Sequence, residues 1–295
     1  MVGNGLSTSP STVAPQHRHT FPLVTVGDNV RLQARVSRSA THRPSTSIVL
    51  LDLLCIPDPL PLCATAQHHL LTRHLGVTSL ALCYGYSMGG MQALHWAALY
   101  PAMVQRVAAT CGTASCHEYN AVFLEGLLSI LGPPTPAHAA DGAPQGGPLP
   151  SPNLAAFGRV YAGWGLPDSW YRKQLWRMHG GHATLDAFLR ESWEKWTTNA
   201  NADNMRCQLR TWRDAKLTPA QLAGITARVV YLPSPGDRYF TLPDVEAEAR
   251  SIPGGLAQVV PLSMDWGHRA GDPHRAGQEA DYERIRATVH ALLRS

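Results

Sequence analysis

The chain has 295 residues, of which 44% are hydrophobic, and its formal net charge at pH 7 is +4. It contains no apolar run long enough to cross a bilayer and no clustered stripe of Lys and Arg, so composition gives no case for a membrane protein or a nucleic-acid-binding protein. We expect one large soluble domain with an insertion.

The cysteines indicate a reducing compartment. None of the spacings matches a metal site, and two cysteines fall within apolar, strand-like runs, as reduced core thiols do. No positively charged leader followed by an apolar segment opens the chain. The prediction is a cytoplasmic protein with no metal and no bound cofactor, whose six cysteines are Cys55, Cys63, Cys83, Cys111, Cys116 and Cys207.

The first third of the chain has an irregular pattern. Residues 1–22 are rich in Gly, Ser, Thr and Pro and are predicted to be loop. Residues 23–33 are typical of a helix entry capped near Asp28, and residues 68–75 of more of the same helix. Residues 34–67 do not fit that helix, because they hold an apolar run followed by Pro57, Pro59 and Pro61.

Residues 78–92 contain the strongest local signal, a Gly-Tyr-Ser-Met-Gly motif with Ser87 at its centre. An apolar run at 79–84 predicts a buried strand, and residues 90–99 predict a helix. In such a strand-to-helix turn the serine is exposed at the tip, and glycines at positions 85 and 89 allow the strand and helix to pass closely. The alternative is an ordinary tight turn, but the context favours a nucleophile at Ser87.

Strand-like and helix-like segments then alternate. We predict a strand at 104–111, amphipathic helices within 113–215, and a Pro/Gly/Ala-rich loop at 132–153. The tryptophans of 113–215 indicate core packing, and an aromatic helical insertion is also how a lid over an acyl pocket is built. The predicted organisation is a core of residues 1–112 and 216–295, in which 34–67 is atypical, with a helical lid at 113–215.

Two further candidates follow later strands. Asp237 lies just past the carboxyl end of the predicted strand at 227–232, and His268 lies in the loop after the predicted strand at 257–262. A helix is predicted at 243–251 between them and another at 277–293 after them. Open parallel sheets place their chemistry at the carboxyl ends of strands.

The order Ser87, Asp237, His268 is that of a nucleophile, an acid and a base on an α/β-hydrolase sheet. Serine needs a histidine to take its proton, and the histidine needs a carboxylate to fix its tautomer. The backbone N–H of Met88 would be one donor to an oxyanion. Alternatives remain: Asp237 and His268 could be turn or surface residues, and Asp244 and Asp265 compete for the role of the acid.

The sequence resembles the homoserine O-acetyltransferase-like branch of the α/β-hydrolases. The resemblance implies a mostly parallel sheet flanked by helices with a helical lid, and a triad of Ser87, Asp237 and His268. It also implies a place in methionine biosynthesis, with acetyl-CoA as co-substrate acylating Ser87 before a hydroxyl acceptor or water takes the acyl group. A small-molecule substrate is expected, and a homodimer is compatible with the sequence. The matching stretches are residues 21–30, 85–97, 100–101, 158–164, 236–240 and 266–268.

Three departures from the family pattern shape the remaining expectations. The strands and the second oxyanion donor that precede the elbow are expected to be missing, as in a chain truncated at its amino end. Removing residues 34–67 would restore the family's helix, which suggests that this stretch is translated intron or a gene-model error. Arg269 follows His268, where enzymes acting on homoserine usually have aspartate. The alternatives are therefore an esterase or thioesterase, or a truncated chain without activity, since losing one oxyanion donor typically costs ~100- to 1,000-fold in turnover.

Overall fold

A five-stranded parallel sheet, whose strands lie side by side in the order in which they occur along the chain, is at the centre of the computed structural model. The structure describes residues 19–21, 24–26, 46–50, 60–133, 151–273 and 276–295. The sheet is formed by β3 (Thr46–Leu50), β4 (Ser79–Tyr86), β5 (Arg106–Thr110), β6 (Arg228–Leu232) and β7 (Ala257–Val259).

Helices connect and cover these strands. On either side of the elbow lie α1 (Leu60–His69), which runs on into a π-helical turn at Leu70–His74, and α2 (Met88–Leu99). Between β5 and β6 lie α3 (Glu118–Leu131), α4 (Ser151–Gly165), α5 (Asp168–Arg172), α6 (Leu175–Met178), α7 (Leu185–Phe188), a π-helical turn (Leu189–Glu194), α8 (Lys195–Thr198), α9 (Ala202–Arg213) and α10 (Pro219–Ala223). The last elements are α11 (Leu242–Ser251), a 3-10 helix (Gly267–Gly271) and α12 (Glu279–Arg294).

Both faces of the central strands β4, β5 and β6 are buried, which explains why these strands have nearly continuous apolar sequences. Alternate residues of a strand point to opposite faces. Val229 and Tyr231 therefore join the core beneath α2, α10 and α11, whereas Val230 and Leu232 pack with Trp266 in a second core that includes residues of α12. The prediction of a mostly parallel sheet flanked by helices agrees with this arrangement.

The predictions for the first 67 residues need correction. The helix expected at 23–33 is wrong where the structure describes it, because β2 (Val24–Val26) pairs antiparallel with β1 (His19–Phe21). The β-branched run Val-Thr-Val favours a strand. The pair also means that residues 19–21, predicted as loop, are a strand, whereas residues 27–33 lie outside the described part of the chain.

The stretch 34–67, expected to be foreign to the fold, contributes two elements to it. Strand β3 pairs in parallel with β4, so the expectation that residues 1–67 supply no neighbour for the elbow strand is wrong. Helix α1 continues through Gln67, whose side chain donates to Gln92 at 3.0 Å and accepts from Trp96 Nε1 at 2.7 Å. Pro61 does not break this helix because it occupies the first turn, where no intrahelical N–H bond is lost. The proposed origin of this stretch in an intron or a gene-model error stays a prediction.

Elsewhere the predicted strands and helices occur close to their expected bounds. The stretch 168–178 is divided into α5 and α6 at Gln174, whose φ of +51° interrupts the helix. Residues 184–196 form a run from α7 to α8 through the π-helical turn. Among the helices described, none combines the length and apolar character needed to cross a bilayer.

Candidate active site

Ser87 occupies a strained turn between β4 and α2. Its φ and ψ are +59° and −126°, outside the regions that side chains favour. A Cβ on Gly85 would lie 2.1 Å from the carbonyl carbon of Gly89, so only glycine lets the strand pass this close to the helix. The Ser87 N–H donates to Thr110 O at 2.9 Å, which ties the turn to β5. The local geometry is that of a nucleophile elbow.

The structure brings the three predicted side chains into one hydrogen-bonded row. His268 Nε2 lies 2.9 Å from Ser87 Oγ. On the other side of the ring, His268 Nδ1 lies 2.8 Å from Asp237 Oδ2. Both distances allow strong hydrogen bonds, so the imidazole can accept from the serine while it donates to the carboxylate.

Asp237 is held by the backbone of its own loop. Its Oδ1 accepts from the N–H groups of Tyr239 at 2.8 Å and Phe240 at 3.2 Å. The two competing aspartates are engaged elsewhere. Asp244 accepts from Thr241 Oγ1 at 2.6 Å at the start of α11, and the Asp265 carboxylate pairs with Lys173 Nζ at 2.7 Å. Asp237 alone among the three candidates contacts His268.

The row is largely shielded from water. Ser87, Asp237 and His268 are only 7%, 4% and 6% exposed. Burial lowers the pKa of His268 below its usual value of 6.5, and the Asp237 charge opposes that shift. The imidazole is therefore neutral near pH 7, which is the state that can accept the serine proton.

Aromatic rings enclose His268. The ring centroids of Tyr86, Tyr239 and Phe240 lie 4.9, 4.7 and 5.7 Å from that of the imidazole. Tyr239 also packs against Phe123 at 5.0 Å and Trp212 at 5.4 Å. Phe123 of α3 and Trp212 of α9 thus extend the aromatic wall that Tyr86, Tyr239 and Phe240 form around His268.

The loops that carry Asp237 and His268 also contact the helical insertion. Gly267 has a φ of +50°, and a Cβ there would lie 2.6 Å from Cδ of Pro167. Pro167 directly precedes α5. Glycine at 267 therefore allows the loop before His268 to press against the insertion.

The backbone N–H of Met88 is positioned as a candidate donor to an oxyanion. Met88 is the first residue of α2, where backbone N–H groups lack intrahelical acceptors. The segment after β3, residues 51–59, lies outside the described part of the chain, and so does Cys55. The structure therefore leaves the expectation about the second donor as a prediction.

Sequence reasoning missed Cys111, which follows β5. Its side chain is fully buried, its φ is +44°, and its Sγ lies within 4.8 Å of ligand atoms of Asp237 and His268. Burial and the neighbouring Asp237 charge hold the pKa of the thiol well above its usual value, so Cys111 stays neutral. No sequence motif distinguishes it, because apolar strands often end in a small residue.

Comparison with known proteins extends these observations. A family model described as "alpha/beta hydrolase fold" matches residues 63–148. An ethyl acetate hydrolase of Pseudomonas veronii is 27% identical over 216 residues, which cover 69% of this chain and 59% of that protein. A homoserine O-acetyltransferase of Solidesulfovibrio magneticus is 34% identical over 120 residues, or 39% of this chain and 21% of that protein. The chain therefore spans less than two thirds of the length of either relative.

Among solved structures, an acetyl esterase superposes with a TM-score of 0.71 at 25% identity, covering 81% of this chain and 69% of that one. Together with the parallel sheet and the elbow, this likeness confirms the predicted fold. The chain therefore has the α/β-hydrolase fold, and it is similar to both esterases and homoserine O-acetyltransferases.

Proposed function

We propose that the chain forms an acyl-enzyme on Ser87 and hydrolyses carboxylic esters with a small acyl group. The observation that carries the proposal is the continuous row from Ser87 Oγ through His268 to Asp237, with contacts of 2.9 and 2.8 Å. This is the arrangement that activates a serine hydroxyl.

In the first half of the reaction, Ser87 Oγ attacks the ester carbonyl carbon while His268 Nε2 takes the hydroxyl proton. Asp237 stabilises the imidazolium that forms, and the Met88 N–H stabilises the oxyanion. Collapse of the tetrahedral intermediate breaks the bond to the alcohol oxygen, which leaves with the proton from His268. The acyl group remains on Ser87.

In the second half, water attacks the acyl-enzyme as His268 removes its proton. The intermediate then expels Ser87 Oγ, which regains a proton from the histidine, and the carboxylic acid departs. The helices between β5 and β6 serve as the lid in this proposal, because their aromatic residues continue the wall around His268. A closed lid limits the water and the acceptors that reach the acyl group.

The second candidate function is transfer of the acyl group from acyl-CoA to a hydroxyl acceptor, as first expected. It shares every catalytic residue with the esterase reaction. The similarity to homoserine O-acetyltransferases over 120 residues supports it. Arg269 after the histidine, where homoserine-directed enzymes usually have aspartate, favours the hydrolase. Acetyl-CoA as co-substrate and a role in methionine biosynthesis stay predictions.

The first experiment is labelling of the purified protein with a fluorophosphonate probe and mapping of the modified residue. We expect labelling at Ser87 that is lost in Ser87→Ala. Ser129→Ala is the matched control, because that hydroxyl is exposed and donates to Glu125 O of its own helix. A folded protein that does not react, or that reacts at another serine, would contradict the proposal.

A second measurement separates the two functions. Ester hydrolysis is followed with 4-nitrophenyl acetate, and transfer is followed as CoA release from acetyl-CoA with and without a hydroxyl acceptor. Ester hydrolysis without acceptor-dependent CoA release supports the hydrolase. Acceptor-dependent CoA release with an O-acetylated product would instead assign the transferase.

A further inference from the structure

Arg269 is fixed directly beside the catalytic base of the proposed mechanism. It follows His268 in the 3-10 helix Gly267–Gly271. Its N–H donates to Trp266 O at 3.0 Å, and its carbonyl accepts from Gln278 Nε2 at 2.7 Å. The backbone at this residue is therefore held on both sides, which determines where the half-buried side chain leaves the helix.

The guanidinium lies between the His268 loop and the helical insertion. Its Cζ is 5.6 Å from the ring centroid of Trp193, which is buried within the π-helical turn Leu189–Glu194. Trp193 in turn packs against Tyr161, whose ring lies 5.6 Å from that of Tyr239. The positive charge thus faces the same aromatic wall that encloses the histidine.

The electrostatics agree with this location. Burial raises the pKa of Tyr86, Tyr161 and Tyr239, and the charge of Arg269 acts in the opposite direction on all three. Tyr86 and Tyr239 both contact the His268 ring. A cation that influences these phenols can also influence a substrate bound between them.

Within the described ranges, no carboxylate pairs with the Arg269 guanidinium. Neighbouring cations of the insertion do have such partners: Arg159 pairs with Asp186 and Glu194, and Lys173 pairs with Asp265. Among the described residues its contact is the Trp193 ring, and a half-buried guanidinium in such a setting retains N–H donors for a ligand.

We propose that Arg269 binds a carboxylate of the substrate, so that the site prefers esters carrying an anionic group close to the scissile bond. This inference rests on the proposed function. The carboxylate could belong to the acyl group, as in a half-ester of a dicarboxylic acid, or to the alcohol, as in an O-acylated hydroxy acid. Arginine suits either source, because its planar fork donates two parallel hydrogen bonds to a carboxylate.

The test compares matched pairs of esters that differ in one negative charge. Ethyl hydrogen succinate and ethyl methyl succinate probe the acyl side, and 4-acetoxybutanoate and its methyl ester probe the alcohol side. Binding to Ser87→Ala protein is measured by calorimetry, since this variant cannot turn the esters over. The same measurements are repeated in Ser87→Ala carrying Arg269→Gln or Arg269→Lys.

We expect one anionic ester to bind about 10- to 100-fold more tightly than its neutral partner, as one charge-assisted hydrogen-bonded pair allows. Arg269→Gln should abolish this ratio, Arg269→Lys should retain part of it, and 0.5 M salt should reduce it. The pair that shows the preference identifies which side of the ester carries the carboxylate.

Equal binding of anionic and neutral esters, or an anionic preference that survives Arg269→Gln, would overturn the inference. Thermal unfolding of each variant shows whether Arg269 serves only to hold Trp193 and the insertion; in that case Arg269→Gln lowers the unfolding temperature and leaves the binding ratio unchanged. Failure of the proposed function gives a different result, because wild-type protein would then hydrolyse neither ester and Ser87 would not react with fluorophosphonate, whatever the binding ratio.

Discussion

The carbonyl carbon of Gly89 lies only 2.1 Å from the point where a Cβ on Gly85 would stand. No real pair of atoms in a folded protein approaches that closely without a bond, so Gly85→Ala must move α2 away from β4. We expect this variant to lose several kcal/mol of stability, as strain and overpacking in a core commonly cost ~1–3 kcal/mol or more. Its reaction with fluorophosphonate should fall with its stability.

Gly126→Ala provides the control for that measurement. Gly126 lies within α3, and a Cβ there would meet nothing within 4 Å. Alanine in a helix interior is more favourable than glycine by roughly 0.5–1 kcal/mol, so this variant should be slightly stabilised. Urea unfolding of both variants tests the elbow geometry; an unchanged free energy of unfolding in Gly85→Ala would contradict it.

The buried His95 should make the protein less stable in acid. Burial lowers the pKa of this histidine to about 4, while its Nε2 lies 2.9 Å from Ala114 O. Between pH 6.5 and 4 the unfolded chain binds a proton that the folded chain excludes, so stability falls as the pH falls through this window. The shift corresponds to about 3 kcal/mol at its limit.

Free energies of unfolding measured at pH 7.5, 5.5 and 4.5 test this expectation. His95→Gln should reduce the loss of stability on acidification, because glutamine does not titrate. His268, whose pKa is also lowered, should leave part of the slope in place. The exposed His290→Gln on α12 is the control, and a similar reduction of the slope in that variant would count against the assignment to His95.

Cys111 should tolerate serine better than valine. Its positive φ disfavours a β-branched residue, and a Cβ on Gly271 would already lie 2.9 Å from the Cys111 Sγ. Cys111→Val should therefore cost ~1–3 kcal/mol of stability and displace Asp237 from His268. Cys111→Ser keeps the size and a polar hydrogen beside the carboxylate. Rates of Ser87 labelling that are equal in the two variants would show that Cys111 has no influence on the row.

Glu248 should anchor the start of the helical insertion. This buried carboxylate accepts from the N–H groups of Ala114 at 2.6 Å and Ser115 at 3.0 Å, and His117 Nε2 lies 3.1 Å away. Glu248→Gln keeps one acceptor but loses the charge, so we expect a loss of about 1.5–3 kcal/mol. The matched control is Glu246→Gln, which changes an exposed residue of the same helix.

The destabilisation by Glu248→Gln should depend on pH, and its direction follows from the pKa of His117. The hydrogen bond that the Glu248 carboxylate accepts from the His117 ring raises the pKa of His117 above its usual 6.5. Stability from this pair is fully present below pH 6.5 and is lost as the pH rises through the folded pKa of His117. Unfolding at pH 6 and pH 9 should therefore show a larger destabilisation by Glu248→Gln at the lower pH, and an equal effect at both would contradict the ion pair.

The row of Ser87, Asp237 and His268 could be predicted because each residue has a local signature. Each lies in a loop after a strand, and parallel strands bring such loops to one edge whatever the chain between them does. Of Asp237, Asp244 and Asp265, only Asp237 lies against His268 in the structure, and it is also the nearest of the three to the end of its strand. The sequence pattern does not show which other side chains lie close in space, such as the Cys111 thiol beside the Asp237 carboxylate.

The first 67 residues resisted prediction for a different reason. Strands β1 and β2 are paired with each other, and a strand of three residues is too short to show the alternating apolar pattern that predicts a strand. Prolines at 57, 59 and 61 are strong helix breakers in a helix interior, yet Pro61 falls in the first turn of α1, where proline is tolerated. The sequence does not single out Gln67, because its hydrogen bonds join it to Gln92 and Trp96 of α2, which are distant along the chain.

The contact between Gly267 and Pro167 restricts which positions of the helical insertion can change during evolution. The loop that carries His268 packs directly on Pro167. The insertion therefore cannot be exchanged or repacked at Pro167 without moving His268 relative to Ser87. New substrate ranges are therefore more easily reached by changes in α3 and α9, which supply Phe123 and Trp212 to the wall, than by changes around Pro167. A random library would be expected to show little variation at positions 167 and 267 among active clones and much more at 123 and 212.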